Sequence, residues 1–155
     1  MKILSPVSSL DEVDMLVENG AGELYCGLVP QDWTSAYSGA LWMNRRSPAG
    51  ANLATYEALG ALVAHAHAQG VPVFLTLNAP VYVERQLPYL ADLARRAIDE
   101  CEVDALIVSD TALLLTLAEM GLGGRVHVSS VASALNTEAV RFYQASSSEM
   151  YGKAV

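Results

Sequence analysis

Short apolar runs and amphipathic runs alternate along the whole chain. The apolar runs lie at residues 2–7, 23–28, 73–78, 105–110 and 125–130. Between them, apolar residues recur at spacings of three and four, which is typical of helices with one buried face. Leu59, Leu62, Val63 and Ala66 form one such stripe. The pattern therefore predicts five consecutive strand–helix units.

Local signals mark where the predicted helices begin. Ser9 followed by Glu12 is a capping-box pattern, in which the hydroxyl and the carboxylate satisfy free N–H groups of the first helical turn. Asn52, Asp110 and Asn136 stand at the expected starts of three later helices, where such side chains accept hydrogen bonds from the backbone.

Apolar strands separated by helices indicate an α/β fold with a parallel sheet that is covered on its faces. Two architectures fit this order, an open doubly wound sheet and part of an eight-fold barrel. The glycine-rich motifs of nucleotide-binding sheets do not occur in the sequence. A complete barrel takes about 250 residues, so the 155 residues of this chain would form an incomplete one.

One domain accounts for most of the chain. We expect residues 1–145 to form the strand–helix units, with the last helix ending at Gln144. Residues 146–155 carry no apolar run of the kind that a sixth strand needs, so we expect them to form a tail outside the pattern.

Composition excludes several classes of protein. With 52% hydrophobic and 17% charged residues, the chain does not have the composition of a disordered protein. It has no apolar run of about 18 residues, which a membrane span requires, and no signal peptide at its start, so we expect a cytoplasmic protein with no membrane partner. A net charge of −8 argues against a nucleic-acid partner, because phosphate contacts need clustered lysines and arginines.

The two cysteines, Cys26 and Cys101, are too few for a disulfide framework and lack the spacing of a zinc site. We expect this chain to bind no metal through them.

In barrels, chemistry gathers at the carboxyl ends of the strands, where several loops converge. The candidate catalytic residues at these positions are Asn78, Asp110, His127 and Ser129, and the candidate substrate-binding residues are Tyr25, Cys26, Asn44 and Arg45.

Each candidate also has a structural interpretation. Asp110 would be a base or a metal ligand, or it would cap the helix that follows it. His127 and Ser129 share one strand face, but a nucleophile pair also needs a third group to orient the histidine. No such group is identified in the sequence, and a histidine that is hydrogen-bonded to neighbouring backbone is the alternative.

The segment of residues 29–51 is long for a connection, and long connections in compact domains are often functional. It contains Arg45 and Arg46, which would bind an anion such as a carboxylate or would form a solvated pair. We expect residues 43–51 to lie over the same end of the sheet as Asn78, Asp110 and Ser129.

Several segments in a fixed order resemble the N-terminal part of the collagenase-like peptidase family, peptidase family U32. They are Leu4-Ser5-Pro6-Val7, Glu18-Asn19-Gly20-Ala21, Leu24-Tyr25-Cys26-Gly27-Leu28, Met43-Asn44-Arg45-Arg46, Ala51-Asn52-Leu53, Leu75-Thr76-Leu77-Asn78, residues 104–110, His127-Val128-Ser129 and residues 136–143. The resemblance covers roughly residues 2–144 and implies a partial TIM-type (βα) barrel of about five parallel units.

The same resemblance implies a function. Members of the family include reported proteases, so the first hypothesis is a peptidase or hydrolase whose pocket lies at the strand carboxyl ends and takes a peptide or a small molecule. Other members resemble iron–sulfur proteins that support oxygen-independent hydroxylation, with cluster cysteines in their C-terminal half. A third hypothesis is a non-catalytic half-barrel partner. On the first two hypotheses the chain is the N-terminal part of such a protein, and on the third it is a half-barrel that binds another chain. We expect no cofactor in this chain.

Five parallel strands leave two unpaired edges, and such edges recruit other chains. We therefore expect association, either with a second copy or with the missing half of the barrel.

Overall fold

A computed structural model describes residues 2–37, 42–46 and 50–148 of the chain. Its strands are β1 (Ile3–Pro6), β2 (Ala21–Cys26), β3 (Val73–Leu77), β4 (Ala105–Val108) and β5 (Val126–Val128). Its α-helices are α1 (Val13–Glu18), α2 (Gln31–Tyr37), α3 (Tyr56–His67), α4 (Leu87–Asp99), α5 (Thr111–Glu119) and α6 (Thr137–Ser148). Short 3₁₀ turns lie at Leu10–Glu12, Glu84–Gln86, Gly123–Arg125 and Ser130–Ala132.

The five strands form one parallel sheet in the order β1-β2-β3-β4-β5. A doubly wound sheet reverses its strand order at a switch point, and this sheet does not reverse. Right-handed crossovers that always step to the next strand place all helices on the same face. The prediction of a partial (βα) barrel is confirmed over the doubly wound alternative.

Alternate residues of each strand face opposite sides of the sheet. The side chains on the helix-facing side form the core with the helix stripes, and they include Leu24, Cys26, Val73, Leu75, Leu77, Leu106 and Val108. The opposite face, which is the barrel interior, carries Tyr25, Phe74, Thr76, Ile107 and His127. The predicted stripe of α3 is buried as expected.

Two of the predicted helix starts are confirmed and two are wrong. Oδ1 of Asp110 accepts from the N–H of Leu113, and Oδ1 of Asn136 accepts from Ala139. Asn52 does not cap α3, because Thr55 does so and accepts from the N–H of Ala58.

At the first helix, the Ser9 hydroxyl makes no capping bond. The Glu12 carboxylate reaches back to the N–H of Ser8 at 2.7 Å, one residue before the predicted position. A 3₁₀ turn at Leu10–Glu12 stands between the predicted cap and α1, and it moves the helix start to Val13.

The last helix is longer than predicted, since α6 runs to Ser148 rather than to Gln144. The segment of residues 29–51, which the sequence analysis treats as one long connection, contains α2. None of the helices in the described ranges is both long and apolar enough to cross a membrane.

Candidate functional site at the carboxyl end of the sheet

Asn78 follows β3 directly and joins three connections at the carboxyl end of the sheet. Its Oδ1 accepts from the backbone N–H of Arg45 at 3.0 Å, and its Nδ2 lies 3.4 Å from Oγ of Ser129, which follows β5. Its carbonyl oxygen accepts from Oγ of Ser109, which follows β4, at 3.3 Å. We call Arg45, Asn78, Ser109 and Ser129 the Asn78 cluster. The predicted position of the 43–46 segment over this end of the sheet is therefore observed, while residues 47–49 lie outside the described residues.

The two neighbouring arginines have different roles. Nη2 of Arg46 donates to the carbonyl of Val7 and to Oγ of Ser8, and Nη1 donates to the carbonyl of Tyr25, each at 3.0 Å. Its Nε donates to the carbonyl of Ala51 at 2.7 Å. The Arg46 guanidinium is therefore used inside the fold, where it ties its own segment to the ends of β1 and β2.

Arg45 is exposed, and its guanidinium makes no bond or ion pair with any residue in the described ranges. Its backbone is fixed by Asn78. The side chain is thus held at the end of the sheet with its donors turned to solvent, an arrangement that suits an arginine which binds a carboxylate or phosphate.

Asn44 serves the segment itself. It is 2% exposed, its Nδ2 donates to Oδ1 of Asn52 at 2.9 Å, and its Oδ1 accepts from the N–H of Arg46 at 2.9 Å. This pair packs on Gly27, where an added Cβ would lie 1.9 Å from Oδ1 of Asn52. Asn44 therefore stabilises the conformation of the segment that carries Arg45.

Tyr25 and Cys26 occupy opposite faces of β2. The Tyr25 ring lies under the Arg46 guanidinium, 5.3 Å from its carbon to the ring centre. The Cys26 side chain is fully buried in the helix-facing core, and this burial raises the pKa of its thiol to about 12. Cys26 is therefore a protonated core residue at neutral pH rather than a reactive thiol.

Both carboxylate oxygens of Asp110 are engaged by backbone. Oδ1 caps α5 through Leu113 at 2.8 Å, and Oδ2 accepts from the N–H of Tyr82 at 3.1 Å. Asp110 therefore caps α5, and this is the structural alternative to a role as a base or a metal ligand.

No hydrogen bond joins His127 and Ser129 in the described part of the chain. The His127 ring packs edge-on against Phe74 in the barrel interior, with 4.6 Å between ring centres. Ser129 caps the 3₁₀ turn that follows β5. Its Oγ accepts hydrogen bonds from Nδ2 of Asn78 and from the N–H of Val131. The structure therefore brings Asn78 and Ser129 together and leaves His127 apart from them.

Sequence reasoning missed Tyr82, which ties three loops together. Its buried hydroxyl accepts from the N–H of Ala79 at 3.2 Å and donates to the carbonyl of Met43, and its own N–H donates to Asp110. Burial raises the pKa of this phenol far above its ordinary value, so it remains a donor at all ordinary pH values. The available signal was an aromatic residue that can form hydrogen bonds, five positions after the end of β3.

Gln86, four residues after Tyr82, is buried, and only one of its two side-chain polar groups is hydrogen-bonded. Its Oε1 accepts from the N–H of Val83 at 2.8 Å, but its Nε2 has no acceptor in the described part of the structure. Buried donors of this kind are normally satisfied by water or by another polar group.

A cleft of about 750 Å³ lies between α2 and the start of α3. It is lined by Pro30, Gln31, Asp32, Ser35, Ala36, Ala54, Thr55, Tyr56 and Glu57. Its volume is within the range of ligand pockets, about 300–1,000 Å³. Trp33 and Tyr37 of α2 pack against Tyr89 of α4, and the Tyr89 hydroxyl donates to Asp32 at 2.7 Å.

Within the ranges that the structure describes, no three side chains of His, Cys, Asp or Glu stand close enough to hold a metal ion. Cys26 and Cys101 are both buried, and burial raises the pKa of both thiols. Whether the purified chain carries a cofactor stays a prediction that elemental analysis tests.

Comparisons with known proteins agree on one family. The model of peptidase family U32 matches residues 8–149. An uncharacterized protease of Methanocaldococcus jannaschii is 31% identical over 145 residues, which cover 92% of this chain and 31% of the relative. A collagenase of Porphyromonas gingivalis is 30% identical over 144 residues, which cover 92% of this chain and 30% of the relative.

The fold also matches a solved structure. A U32 peptidase superimposes with a TM-score of 0.67 at 16% identity, over 94% of this chain and 55% of the solved one. The chain spans about a third of the length of the curated relatives it matches.

Proposed function

The chain belongs to peptidase family U32, and from that membership we propose that it provides the peptide-binding end of such a protein, at the Asn78 cluster. In this proposal the Arg45 guanidinium receives a carboxylate of the peptide. Hydrolysis is proposed only for a whole protein of this family. The two matched relatives are about three times as long as this chain.

The observation that carries the proposal is the hydrogen bond from the Arg45 backbone to Asn78. It fixes an exposed arginine, with no protein partner among the described residues, at the end of the sheet where barrel enzymes bind their substrates.

The polar groups beside Arg45 support a peptide rather than a purely apolar ligand. Oγ of Ser109 and Oγ of Ser129 are both hydrogen-bonded to Asn78. Two hydroxyls are therefore located at the carboxyl ends of the neighbouring strands β4 and β5. Both serines are buried, so their hydroxyls form a polar floor beneath Arg45 rather than exposed groups. The cleft beside α2, with Asp32 and Glu57 in its lining, offers a second place for a peptide side chain.

Fluorescence anisotropy with a labelled Gly-Pro-rich peptide of the collagen type tests this proposal. The peptide is used in two forms, one with a free C-terminal carboxylate and one with an amidated C-terminus. A charge-assisted hydrogen bond contributes about 1.5–3 kcal/mol, so Arg45→Ala should weaken binding of the free form about tenfold or more and leave the amidated form unchanged.

Arg95→Ala is the matched control, because Arg95 is also exposed but lies on α4 rather than at the Asn78 cluster. Equal affinity of the wild-type chain for both peptides would contradict the proposal. An equal loss of affinity in the two arginine variants would contradict it as well, because it would indicate a general effect of charge.

A further inference from the structure

Three large apolar side chains are exposed beside the anchored segment that carries Arg45. Trp42 is 55% exposed, Val81 is 72% exposed and Val83 is 41% exposed. We call these three residues the Trp42 rim. Single apolar residues at a surface are common, so their exposure carries weight only where the backbone that presents them is fixed.

The backbone of the rim is fixed by Tyr82. The Tyr82 hydroxyl donates to the carbonyl of Met43, which follows Trp42, and accepts from the N–H of Ala79 at 3.2 Å. The N–H of Tyr82 donates to Asp110 at 3.1 Å. The segment that carries Trp42 and the connection that follows β3 are therefore held together by one buried side chain.

The two valines are presented on the same side of that connection. Val83 has an extended backbone, and its N–H donates to Oε1 of Gln86 at 2.8 Å. In an extended backbone, side chains two residues apart point the same way. Since Tyr82 between them is buried, Val81 and Val83 both face water. Turning either valine inward would break the hydrogen bonds of Tyr82 and Val83.

The rim adjoins the guanidinium of Arg45, which has no partner among the described residues. Trp42 precedes Arg45 by three residues, so their Cα atoms lie within about 11 Å of each other. Val81 likewise follows Asn78, which anchors Arg45, by three residues. An exposed cation thus stands next to an apolar surface. The last residue of a peptide has the matching chemistry, because its carboxylate and its side chain are attached to the same carbon atom.

We propose that the Trp42 rim is the subsite for a large apolar side chain at the C-terminus of the bound peptide, so that the chain selects peptides ending in a residue such as leucine. This inference rests on the proposed function, in which Arg45 receives the carboxylate. Contact of the leucine side chain with the indole and the valines removes apolar surface of both partners from water. Tryptophan and arginine are also enriched among the residues that contribute most to binding at protein interfaces. A second copy of this chain that covers the rim is the alternative occupant.

Two labelled peptides that differ only in their last residue, leucine or serine, test this inference on the full chain by fluorescence anisotropy. Both peptides have a free C-terminal carboxylate. The leucine peptide should bind about tenfold more tightly than the serine peptide. Trp42→Ser should reduce this preference to about threefold or less and leave the affinity for the serine peptide unchanged. Trp42→Phe, which keeps an aromatic ring, should retain most of the preference.

Tryptophan fluorescence provides a second measurement. The chain has two tryptophans, and Trp33 is 2% exposed, so the neutral quencher acrylamide should act mainly on Trp42. The leucine peptide should shift the Trp42 emission to shorter wavelength and protect it from acrylamide. The serine peptide should do so much less at equal occupancy.

Ile3→Ser is the matched control, because Ile3 is 56% exposed but begins β1, at the opposite end of the sheet. Equal affinities of the two peptides would overturn the inference, as would an equal loss of preference in Trp42→Ser and Ile3→Ser. A dimer of the chain alone that Trp42→Ser dissociates in sedimentation would overturn it in favour of the second copy.

The inference and the proposed function fail in different ways. Equal affinities that still depend on Arg45 would contradict the rim alone. A leucine preference that needs Trp42 but survives both Arg45→Ala and amidation of the peptides would contradict the proposed function, while the rim stays an apolar subsite. Absence of binding by either peptide would overturn both.

Discussion

The backbone N–H of Arg45 is hydrogen-bonded to Oδ1 of Asn78, 33 residues further along the chain. This bond links the connection after β2 to the end of β3, and Nδ2 of the same asparagine reaches Ser129 after β5. One amide therefore sets the relative position of three loops that the sequence separates widely. The position of the exposed Arg45 side chain depends on it.

The adjacent arginines provide a first prediction. Arg46→Ala removes a guanidinium that donates to the carbonyls of Val7, Tyr25 and Ala51. Hydrogen bonds from charged donors are strong, and their loss should lower the free energy of unfolding by about 2 kcal/mol or more. Urea denaturation followed by circular dichroism measures it.

Arg45→Ala is the control for this substitution, because it removes the same charge one position earlier. Its side chain has no partner among the described residues, so the free energy of unfolding should change by less than about 0.5 kcal/mol. Similar destabilisation by both substitutions would show that Arg46 does not hold the segment in the way the geometry indicates.

A second prediction concerns the close contact at Gly27. Gly27→Ala would place a Cβ 1.9 Å from Oδ1 of Asn52 and 2.9 Å from Nδ2 of Asn44. The asparagine pair must then move, and such overpacking typically costs about 1–3 kcal/mol. The expected result is a lower urea midpoint together with faster proteolysis of the segment that contains Arg45.

Gly60→Ala is its counterpart within α3, where an added Cβ meets no atom within 4 Å. Alanine in a helix interior is favoured over glycine by about 0.5–1 kcal/mol, so this variant should be more stable than the wild type. Destabilisation at Gly60 equal to that at Gly27 would contradict the assignment of a specific contact.

The fold could be predicted from the sequence because its signals are local. The run Val73-Phe74-Leu75-Thr76-Leu77 is buried at every position and is read directly as a strand of a covered sheet. Asp110 caps the helix that begins one residue later, so the signal and its effect are neighbours. The order of such segments was enough to indicate five parallel units.

The site could be predicted only in part, because its contacts are distant in sequence. Arg45 and Arg46 cannot be told apart without knowing that the carbonyls of Val7 and Tyr25 lie beside one of them. Asn52 carries a helix-cap signal, but Asn44 and Gly27 hold it in another role.

The helix α2 was missed for the same reason. Its residues are polar and aromatic without a clear period, and it is stabilised by contacts of Trp33 with Tyr37 and with Tyr89, which is 56 residues away from Trp33. A pattern of hydrophobic positions does not report such a contact.

A third prediction concerns Tyr82. Tyr82→Phe keeps the ring but leaves the N–H of Ala79 and the carbonyl of Met43 without their partner. Unsatisfied buried groups cost about 1–3 kcal/mol each, so the urea midpoint should fall clearly. Tyr89→Phe is the matched control, because the hydroxyl of Tyr89 bonds to Asp32 at an exposed position, and it should have a much smaller effect. The reverse order of the two effects would refute the role given to Tyr82.

The last prediction concerns stability at alkaline pH. Burial raises the pKa of the Cys26 thiol to about 12, whereas the thiol in the unfolded chain titrates near its ordinary value of about 8.5. Above that ordinary value the unfolded state binds fewer protons than the folded state, so the free energy of unfolding must fall as the pH rises towards 12. Raised pKa values of the Tyr82 and Cys101 side chains act in the same direction.

Urea denaturation at a series of pH values from neutral to about pH 11 measures this slope, which Cys26→Ala should make shallower even though the variant is less stable throughout. The Cys101→Ala variant leaves the Cys26 slope in place and serves as the comparison. In the folded wild-type chain at pH 8, Ellman's reagent should not react with Cys26, because the thiol is both buried and protonated, and it should react on addition of urea. Rapid reaction in the folded state would contradict the burial of Cys26 in the core. A slope of the free energy of unfolding against pH that Cys26→Ala does not change would contradict the raised pKa of its thiol.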